Sequence, residues 1–239
     1  MATHLLAGPA LLYRSYALLS RRRPGGRPVS THAAASDVLF QDILLRCNNT
    51  NGLAHSLWTH VVRAGDTVVD CTAGKGHDTL ALARLALSPS SGRVLAFDVQ
   101  AQAVQATRQR LQAGLSPELF ARCDVLHACH STLAEHVSPG SAALVAFNLG
   151  YLPGVGQERA IITRPNTTAA ALRAAAGAVR SGGCISVMCY TGHEGGEAEA
   201  TAVNELCADL PAKQWTVTQV KLVNRQAAPH LVVAYRRDG

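Results

Sequence analysis

The chain has 239 residues, 48% of them hydrophobic and 16% charged, with a mean hydropathy of +0.09 and a net charge of +6. This length suffices for one α/β domain with a well-buried core. No apolar run reaches the roughly 18 residues that a transmembrane helix needs, so we expect no such helix.

The positive charge is concentrated in residues 1–36, which contain five Arg and neither Asp nor Glu. Subtracting these five charges from +6 leaves about +1 for residues 37–239, so the net charge is no evidence for a nucleic-acid-binding domain. An acid-free segment rich in Arg, Ser and Ala is typical of an organelle transit peptide. We therefore expect residues 1–36 to direct the protein to the chloroplast or the mitochondrion, or else to be a disordered leader, and residues 37–239 to form the folded domain.

The cysteines and histidines give no sign of a metal site. The seven cysteines are odd in number and include no CxxC pair, and most of them lie in apolar, strand-like segments. Buried reduced thiols are therefore favoured over disulfides or zinc. Apart from the Cys/His-rich turn near residue 129, the ten histidines form no ligand pattern such as HExxH, so we expect no bound metal.

Strands and helices alternate along the predicted domain. Helical periodicity covers about 38–63, 78–87, 100–114, 131–137, 167–179 and 194–210, and Thr167 or Thr168 is expected to cap the fifth of these helices. Predicted strands cover 67–71, 93–98, 124–128, 143–149, 184–190 (after a turn at 181–183), 215–223 and 231–235. This order predicts a parallel sheet with crossover helices, and an antiparallel edge at the C-terminus where no helix separates the last two strands.

A glycine-rich loop follows the first predicted strand and opens a helix. Gly74 and Gly76 allow a tight turn and close approach of a ligand at the carboxyl end of that strand. A Walker A loop is absent, and a GxGxxG dinucleotide fingerprint is incomplete because Thr79 occupies its last position. An acidic residue before a short glycine turn, here Asp70, suits a methyltransferase loop best.

An acidic residue also ends the second predicted strand. Asp98 can accept hydrogen bonds from both ribose hydroxyls of a nucleoside, or it can cap the next helix as a surface residue. S-adenosylmethionine and NAD share this ribose contact, so both cofactors stay open at this point. The missing third glycine of the loop disfavours NAD.

The fourth predicted strand leads into Asn148-Leu149-Gly150-Tyr151-Leu152-Pro153-Gly154, which is similar to the Asn-Pro-Pro-Tyr loop of amino-methyltransferases. An Asn carbonyl can accept a hydrogen bond from an attacking amine, and a Tyr can stack on a planar base. Methyl transfer from a sulfonium needs an uncharged nitrogen held in line. Asn148 and Tyr151 are therefore the candidate catalytic residues, unless the segment is a plain turn with Tyr151 packed on the core.

Several motifs together resemble the rRNA methylase family that includes YtqB and the tRNA wobble-uridine methyltransferase MnmM. The resemblance covers about Phe40 to Tyr235, and the Asn-Leu-Gly-Tyr-Leu-Pro-Gly run is its most specific element. The motifs are, in order, Asp70–Thr79, Phe97–Gln100, His130, Phe147–Gly154, Thr163–Thr168 and Tyr190–Glu194.

The resemblance implies a class I S-adenosylmethionine-dependent methyltransferase, with a Rossmann-like, seven-stranded, mostly parallel sheet, helices on both faces and an antiparallel C-terminal strand. It implies that the acceptor is the aminomethyl nitrogen of 5-aminomethyl-2-thiouridine at tRNA position 34, so that the partner is the anticodon region of tRNA. The cofactor contacts that it implies are Asp70, Gly74, Lys75, Gly76, His77, Asp98, Gln100, Cys129 and His130.

The sequence departs from the family pattern at three positions, with Lys75, Cys129 and Thr191 where relatives often have Asn, Ser and Pro. Backbone contacts with the cofactor tolerate such changes. Arg164 is a candidate partner for a tRNA phosphate, or else a solvated surface Arg, and His193 is a candidate to line the substrate pocket.

Other functions remain as alternatives. If the family resemblance extends only to the cofactor site, the acceptor is instead an rRNA base, or an amine of a small molecule or a protein. A nucleic-acid-binding module on a decayed methyltransferase fold would require damaged cofactor residues, whereas Asp98, Gly74 and Gly76 are intact. The oligomeric state is left open, with a homodimer as one option.

Overall fold

A computed structural model describes residues 50–150, 163–225 and 228–238. The predicted leader at 1–36 and the candidate catalytic Tyr151 lie outside the described residues. No helix of the described part is long and apolar enough to cross a membrane.

The described residues form one seven-stranded sheet. Its strands are β1 Thr67–Asp70, β2 Arg93–Asp98, β3 Cys123–His127, β4 Ala142–Asn148, β5 Val179–Cys189, β6 Trp215–Val220 and β7 His230–Arg236. Their order across the sheet is β3-β2-β1-β4-β5-β7-β6. Strand β7 pairs antiparallel with both β5 and β6, and the other pairings are parallel. The predicted mostly parallel sheet with an antiparallel C-terminal strand is therefore confirmed.

Helices cover both faces of the sheet, as the sequence predicts. They are α1 Thr50–Val61, α2 His77–Ala86, α3 Ala101–Gly114, α4 Pro117–Phe120, α5 Leu133–His136, α6 Pro165–Ala178 and α7 Gly196–Ala208. Alternate residues of each central strand point to opposite faces. In β2, Val94 and Ala96 belong to a hydrophobic cluster that includes residues of α1, α2 and α3, whereas Leu95 and Phe97 belong to a second cluster that includes residues of α5, α6 and α7. Burial on both faces explains why the parallel strands are almost continuously apolar.

Two predicted boundaries between elements are wrong. Helix α6 begins at Pro165 with Arg164 as its cap, two residues before the predicted start, because proline needs no N–H partner in the first turn. The predicted turn at 181–183 is part of β5, where the pairing with β4 shifts register. Gly182 has a φ of +70°, and an added Cβ on Gly183 would lie 2.7 Å from the carbonyl oxygen of Ala143. These glycines mark an irregularity inside a strand rather than its start.

The predicted burial of most cysteines is confirmed for the described part of the chain. The six cysteines there are free, and four of them are buried. Burial raises the pKa of Cys184 and of Cys189 to about 12. These thiols therefore pack as small apolar side chains and are poor nucleophiles at neutral pH.

Candidate functional site

A cavity of about 580 Å³ lies at the carboxyl ends of β1, β2 and β4. This volume is within the range of small-molecule sites, and the position is where open α/β sheets bind ligands. Eight of the predicted site residues contribute to its wall: Gly74, Lys75, His77, Asp98, Gln100, Cys129, His130 and Asn148. The sequence therefore brings residues from four separate segments to one place.

The glycine-rich loop is held by its backbone. Thr107 of α3 donates a hydrogen bond from its hydroxyl to the carbonyl of Gly74 at 3.1 Å, and Arg110 donates from Nε to the carbonyl of Lys75 at 2.6 Å. The Lys75 side chain is exposed. Its backbone is thus fixed independently of the side chain, which explains how Lys can stand where relatives often have Asn.

Asp98 joins the loops that follow β1 and β2. Its Oδ2 accepts the N–H of Gly74 and its Oδ1 accepts the N–H of Gln100, both at 2.9 Å. Each carboxylate oxygen can accept a second hydrogen bond. Since Asp98 also contributes to the cavity wall, both oxygens can serve a pair of ribose hydroxyls while still holding the glycine loop.

Gly76 shapes the loop without lining the cavity. It has a φ of +75°, and an added Cβ would lie 2.8 Å from Cα of Thr107. We expect Gly76→Ala to lower the free energy of unfolding by about 1–3 kcal/mol, through backbone strain and the clash with α3. Urea titration measures this loss. Gly140→Ala is the matched control, because Gly140 has a φ of +67° but no described atom within 4 Å of the added Cβ. An equal loss in both variants would contradict the contact with α3.

Asp70 supports the site from behind rather than lining the large cavity. Its side chain is 1% exposed and accepts hydrogen bonds from the Thr79 hydroxyl at 2.6 Å and the Thr72 N–H at 3.1 Å. Burial, with a smaller contribution from the neighbouring Asp78, raises the pKa of Asp70 to about 7. In the structure, Asp70, which the sequence predicts as a cofactor contact, links the end of β1 to helix α2 through its hydrogen bond with Thr79.

The raised pKa of Asp70 predicts a pH dependence of stability. The unfolded chain loses this proton near its usual pKa of 3.8 and the folded chain near 7, so between these values the folded state holds more protons. Stability is then lost as pH rises through this window, by at most about 1.4 kcal/mol per pH unit from this group. We expect Asp70→Asn to remove this decline in urea titrations at several pH values. Parallel curves for the two proteins would contradict the assignment.

His130 presents a buried acceptor at the cavity. It is 6% exposed, and its Nδ1 lies 3.0 Å from the carbonyl oxygen of Cys71. A carbonyl only accepts, so Nδ1 carries the proton and donates. Burial lowers the pKa of His130, which keeps the ring neutral and leaves a lone pair on Nε2. Nε2 has no hydrogen-bond partner among the described residues, so it fits a donor group on a bound ligand.

Asn148 ends β4 at the edge of the cavity. Its backbone N–H donates to the Thr72 hydroxyl at 2.7 Å, and its side-chain Nδ2 donates to Oδ2 of Asp78 at 3.1 Å. One of the two N–H groups of the amide is thereby bonded within the protein, which fixes the orientation of the side chain. The carbonyl oxygen of the same amide is available to accept a hydrogen bond from a ligand.

The predicted substrate residues Arg164 and His193 do not line the cavity, although each lies close to a residue that does. Arg164 is exposed at the start of α6. His193 lies beside the end of β4, since an added Cβ on Gly150 would be 3.5 Å from its Nε2. Their roles toward RNA stay predictions. The described residues contain no group of three or more His, Cys, Asp or Glu side chains that could hold a metal ion.

Sequence reasoning missed two groups of residues at the site. Asp78 is in the first turn of α2, where an acidic residue is ordinarily explained by the helix dipole. Asn51 and His55 come from α1, which carries no motif, and Asn51 accepts a hydrogen bond from the Tyr190 hydroxyl at 3.4 Å. For Asp78, the one signal in the sequence is the position of an acid next to the glycine-rich loop. For Asn51 and His55 of α1, the sequence contains no signal that they contribute to the site.

Residues 94–236 match a family described as "Putative rRNA methylase". The match covers more than half of the chain. The chain belongs to this family. A tRNA (mnm(5)s(2)U34)-methyltransferase, chloroplastic, from Arabidopsis thaliana is 37% identical over 204 residues, which are 84% of this chain and 74% of the relative.

Crystal structures of relatives show the same fold. A Clostridium thermocellum protein described as a "putative rRNA-methylase" is 33% identical to this chain, with a TM-score of 0.72. The match covers 80% of this chain and 98% of the Clostridium chain. A Streptococcus mutans methyltransferase-like protein, crystallised in complex with SAH, is 29% identical to this chain, with a TM-score of 0.68. The match covers 80% of this chain and 99% of the Streptococcus chain. As a member of the rRNA methylase family, the chain is a class I, S-adenosylmethionine-dependent methyltransferase. The cavity, the Asp98 carboxylate and the buried Nε2 of His130 fit such a cofactor.

Proposed function

We propose that the protein methylates the aminomethyl nitrogen of 5-aminomethyl-2-thiouridine at the wobble position of tRNA. The observation that carries this proposal is the Asn148 amide, whose nitrogen is held by Asp78 while its oxygen remains for a ligand at the cavity edge. The name of the Arabidopsis relative, together with its 37% identity over most of this chain, supports position 34 of tRNA as the target.

The residues of this chain perform three tasks in such a reaction. S-adenosylmethionine, when bound, supplies an electrophilic methyl group on a sulfonium. Asp98 and the glycine-rich loop bind the nucleoside part of the cofactor. The Asn148 carbonyl accepts a hydrogen bond from the acceptor amine, which aims the nitrogen lone pair, and Tyr151 is proposed to stack on the uracil ring. Most of the rate enhancement then comes from holding the two reactants in line.

Analysis of tRNA nucleosides tests the proposed acceptor. Cells that lack this protein should accumulate 5-aminomethyl-2-thiouridine and lose its methylated product, as measured by mass spectrometry of tRNA hydrolysates. An unchanged tRNA nucleoside profile together with a missing methyl group in rRNA would favour an rRNA base instead. Unchanged profiles of both RNAs would favour a small-molecule or protein amine.

The proposed place of action is an organelle. The acid-free N-terminal segment and the chloroplastic name of the Arabidopsis relative both support the chloroplast. We propose that residues 1–36 act as the transit peptide. A fluorescent fusion of residues 1–36 should enter chloroplasts, and a fusion that remains in the cytosol would contradict this role.

A further inference from the structure

A carboxylate lies beside Asn148 at the edge of the cavity. Asp78 contributes to the wall of the large cavity, and its side chain is 20% exposed. We propose that Asp78 selects a positively charged acceptor by binding the protonated aminomethyl group of the substrate next to Asn148. This inference rests on the proposed function and assigns the residue that recognises the amine.

Asp78 is held in place by two side chains from distant parts of the chain. His55 of α1 donates from Nε2 to Oδ1 of Asp78 at 2.7 Å, and Asn148 donates from Nδ2 to Oδ2 at 3.1 Å. The His55 ring in turn lies against Trp58, with ring centroids 4.6 Å apart. The carboxylate therefore has a fixed orientation, as recognition of one small cation requires.

The charge of Asp78 suits binding of a cation rather than uptake of a proton. Burial raises its pKa, but the hydrogen bond and charge of His55 and the hydrogen bond from Asn148 outweigh burial, so the pKa is lowered overall. The neighbouring Asp70 has a pKa raised to about 7, mainly by burial. Of these two neighbouring acids, the one that contributes to the large cavity is thus the one that stays ionised.

The hydrogen-bonding capacity of the pair matches a primary ammonium. Each oxygen of Asp78 has one hydrogen bond within the protein and can accept another, and the Asn148 carbonyl oxygen is a further acceptor. An ammonium group has three N–H donors, so it can satisfy Asp78 and Asn148 together. A neutral substituent at the same position would form no ionic interaction with the carboxylate. The proton that the amine must lose before methylation is expected to leave to water.

Binding of two tRNAs tests this proposal with S-adenosylhomocysteine present. One tRNA carries 5-aminomethyl-2-thiouridine at position 34 and the other carries 2-thiouridine. We expect wild-type protein to bind the aminomethyl form at least about tenfold more tightly, as a charge-assisted hydrogen bond allows, and Asp78→Asn to lose this preference. Asn keeps the shape and can still accept from Asn148, so the variant removes the charge. Asp124→Asn is the matched control, because Asp124 of β3 pairs with Arg93 of β2 outside the cavity wall and its substitution should leave the preference intact.

A second variant makes the test independent of the folding of Asp78→Asn. His55→Phe keeps a ring against Trp58 but removes the donor to Asp78, and should reduce the preference about threefold. A preference that survives in both variants, or a wild-type protein that methylates the tRNA without preferring its aminomethyl form, would overturn the role of Asp78. A wild-type protein that neither prefers nor methylates the aminomethyl tRNA would overturn the proposed function itself.

Discussion

Replacing Asp98 with Ala is expected to weaken the binding of S-adenosylhomocysteine about 100-fold, as measured by isothermal titration calorimetry. The substitution removes the carboxylate that we propose accepts the ribose hydroxyls, and hydrogen bonds to a charged group are among the strongest in proteins. It also removes the acceptor that fixes the N–H of Gly74, so the glycine-rich loop loses its link to β2. Both effects lower affinity for the nucleoside.

A surface carboxylate provides the control for the Asp98 variant. Asp124→Asn changes the same net charge, but its side chain is 48% exposed and pairs with Arg93 outside the cavity wall. It should bind S-adenosylhomocysteine like the wild-type protein. Unchanged affinity in Asp98→Ala would exclude a ribose contact at the end of β2.

Asn148→Ala is expected to reduce kcat about 100-fold, a loss typical of a misaligned reacting group, while cofactor affinity changes little. The Asn148 side chain is bonded to Asp78 rather than to the glycine-rich loop, so its removal leaves the loop intact. The backbone N–H that donates to Thr72 is also retained. Steady-state methylation at saturating aminomethyl tRNA and S-adenosylmethionine measures kcat, and calorimetry measures cofactor affinity.

The pattern of loss separates the catalytic and structural roles of Asn148. If the Asn148 side chain mainly stabilises the conformation at the end of β4, Asn148→Ala should lose cofactor affinity and turnover together. The urea midpoint of Asn148→Ala, compared with that of the wild-type protein, detects any general loss of stability. Equal losses of affinity and turnover would therefore argue against alignment of the acceptor amine.

Much of the fold could be predicted because the central strands are marked by their own composition. Strand β2 has the predicted bounds Arg93–Asp98, since an apolar run ends in a polar residue at each side. The predicted strand bounds are less accurate where a glycine is compatible with more than one local structure. Gly182 and Gly183 resemble a turn in the sequence, but they accommodate a register shift that depends on the neighbouring strand β4.

The position of the cavity could be predicted for a related reason. Parallel strands end at one edge of a sheet, so motifs after β1, β2 and β4 must lie close together. This brought Gly74, Asp98 and Asn148 to one cavity. The direction of a single side chain is harder to predict, and Asp70 points toward Thr79 of α2 instead of into the large cavity.

The residues around Asp78 could not be predicted because their contacts are long-range. Asp78 meets His55 across 23 positions and Asn148 across 70 positions of the chain. Neither contact leaves a spacing pattern, since the first depends on how α1 packs beside α2 and the second on how α2 lies beside the end of β4. Such contacts require the packed structure, and they provide the specificity that we propose for the site.

A crystal structure with bound S-adenosylhomocysteine tests the central claim most directly. We predict that its ribose hydroxyls contact Asp98, that its nucleoside follows the glycine-rich loop, and that its sulfur faces Asn148. A ligand bound elsewhere on the protein, or one whose sulfur points away from Asn148, would contradict this account of the site.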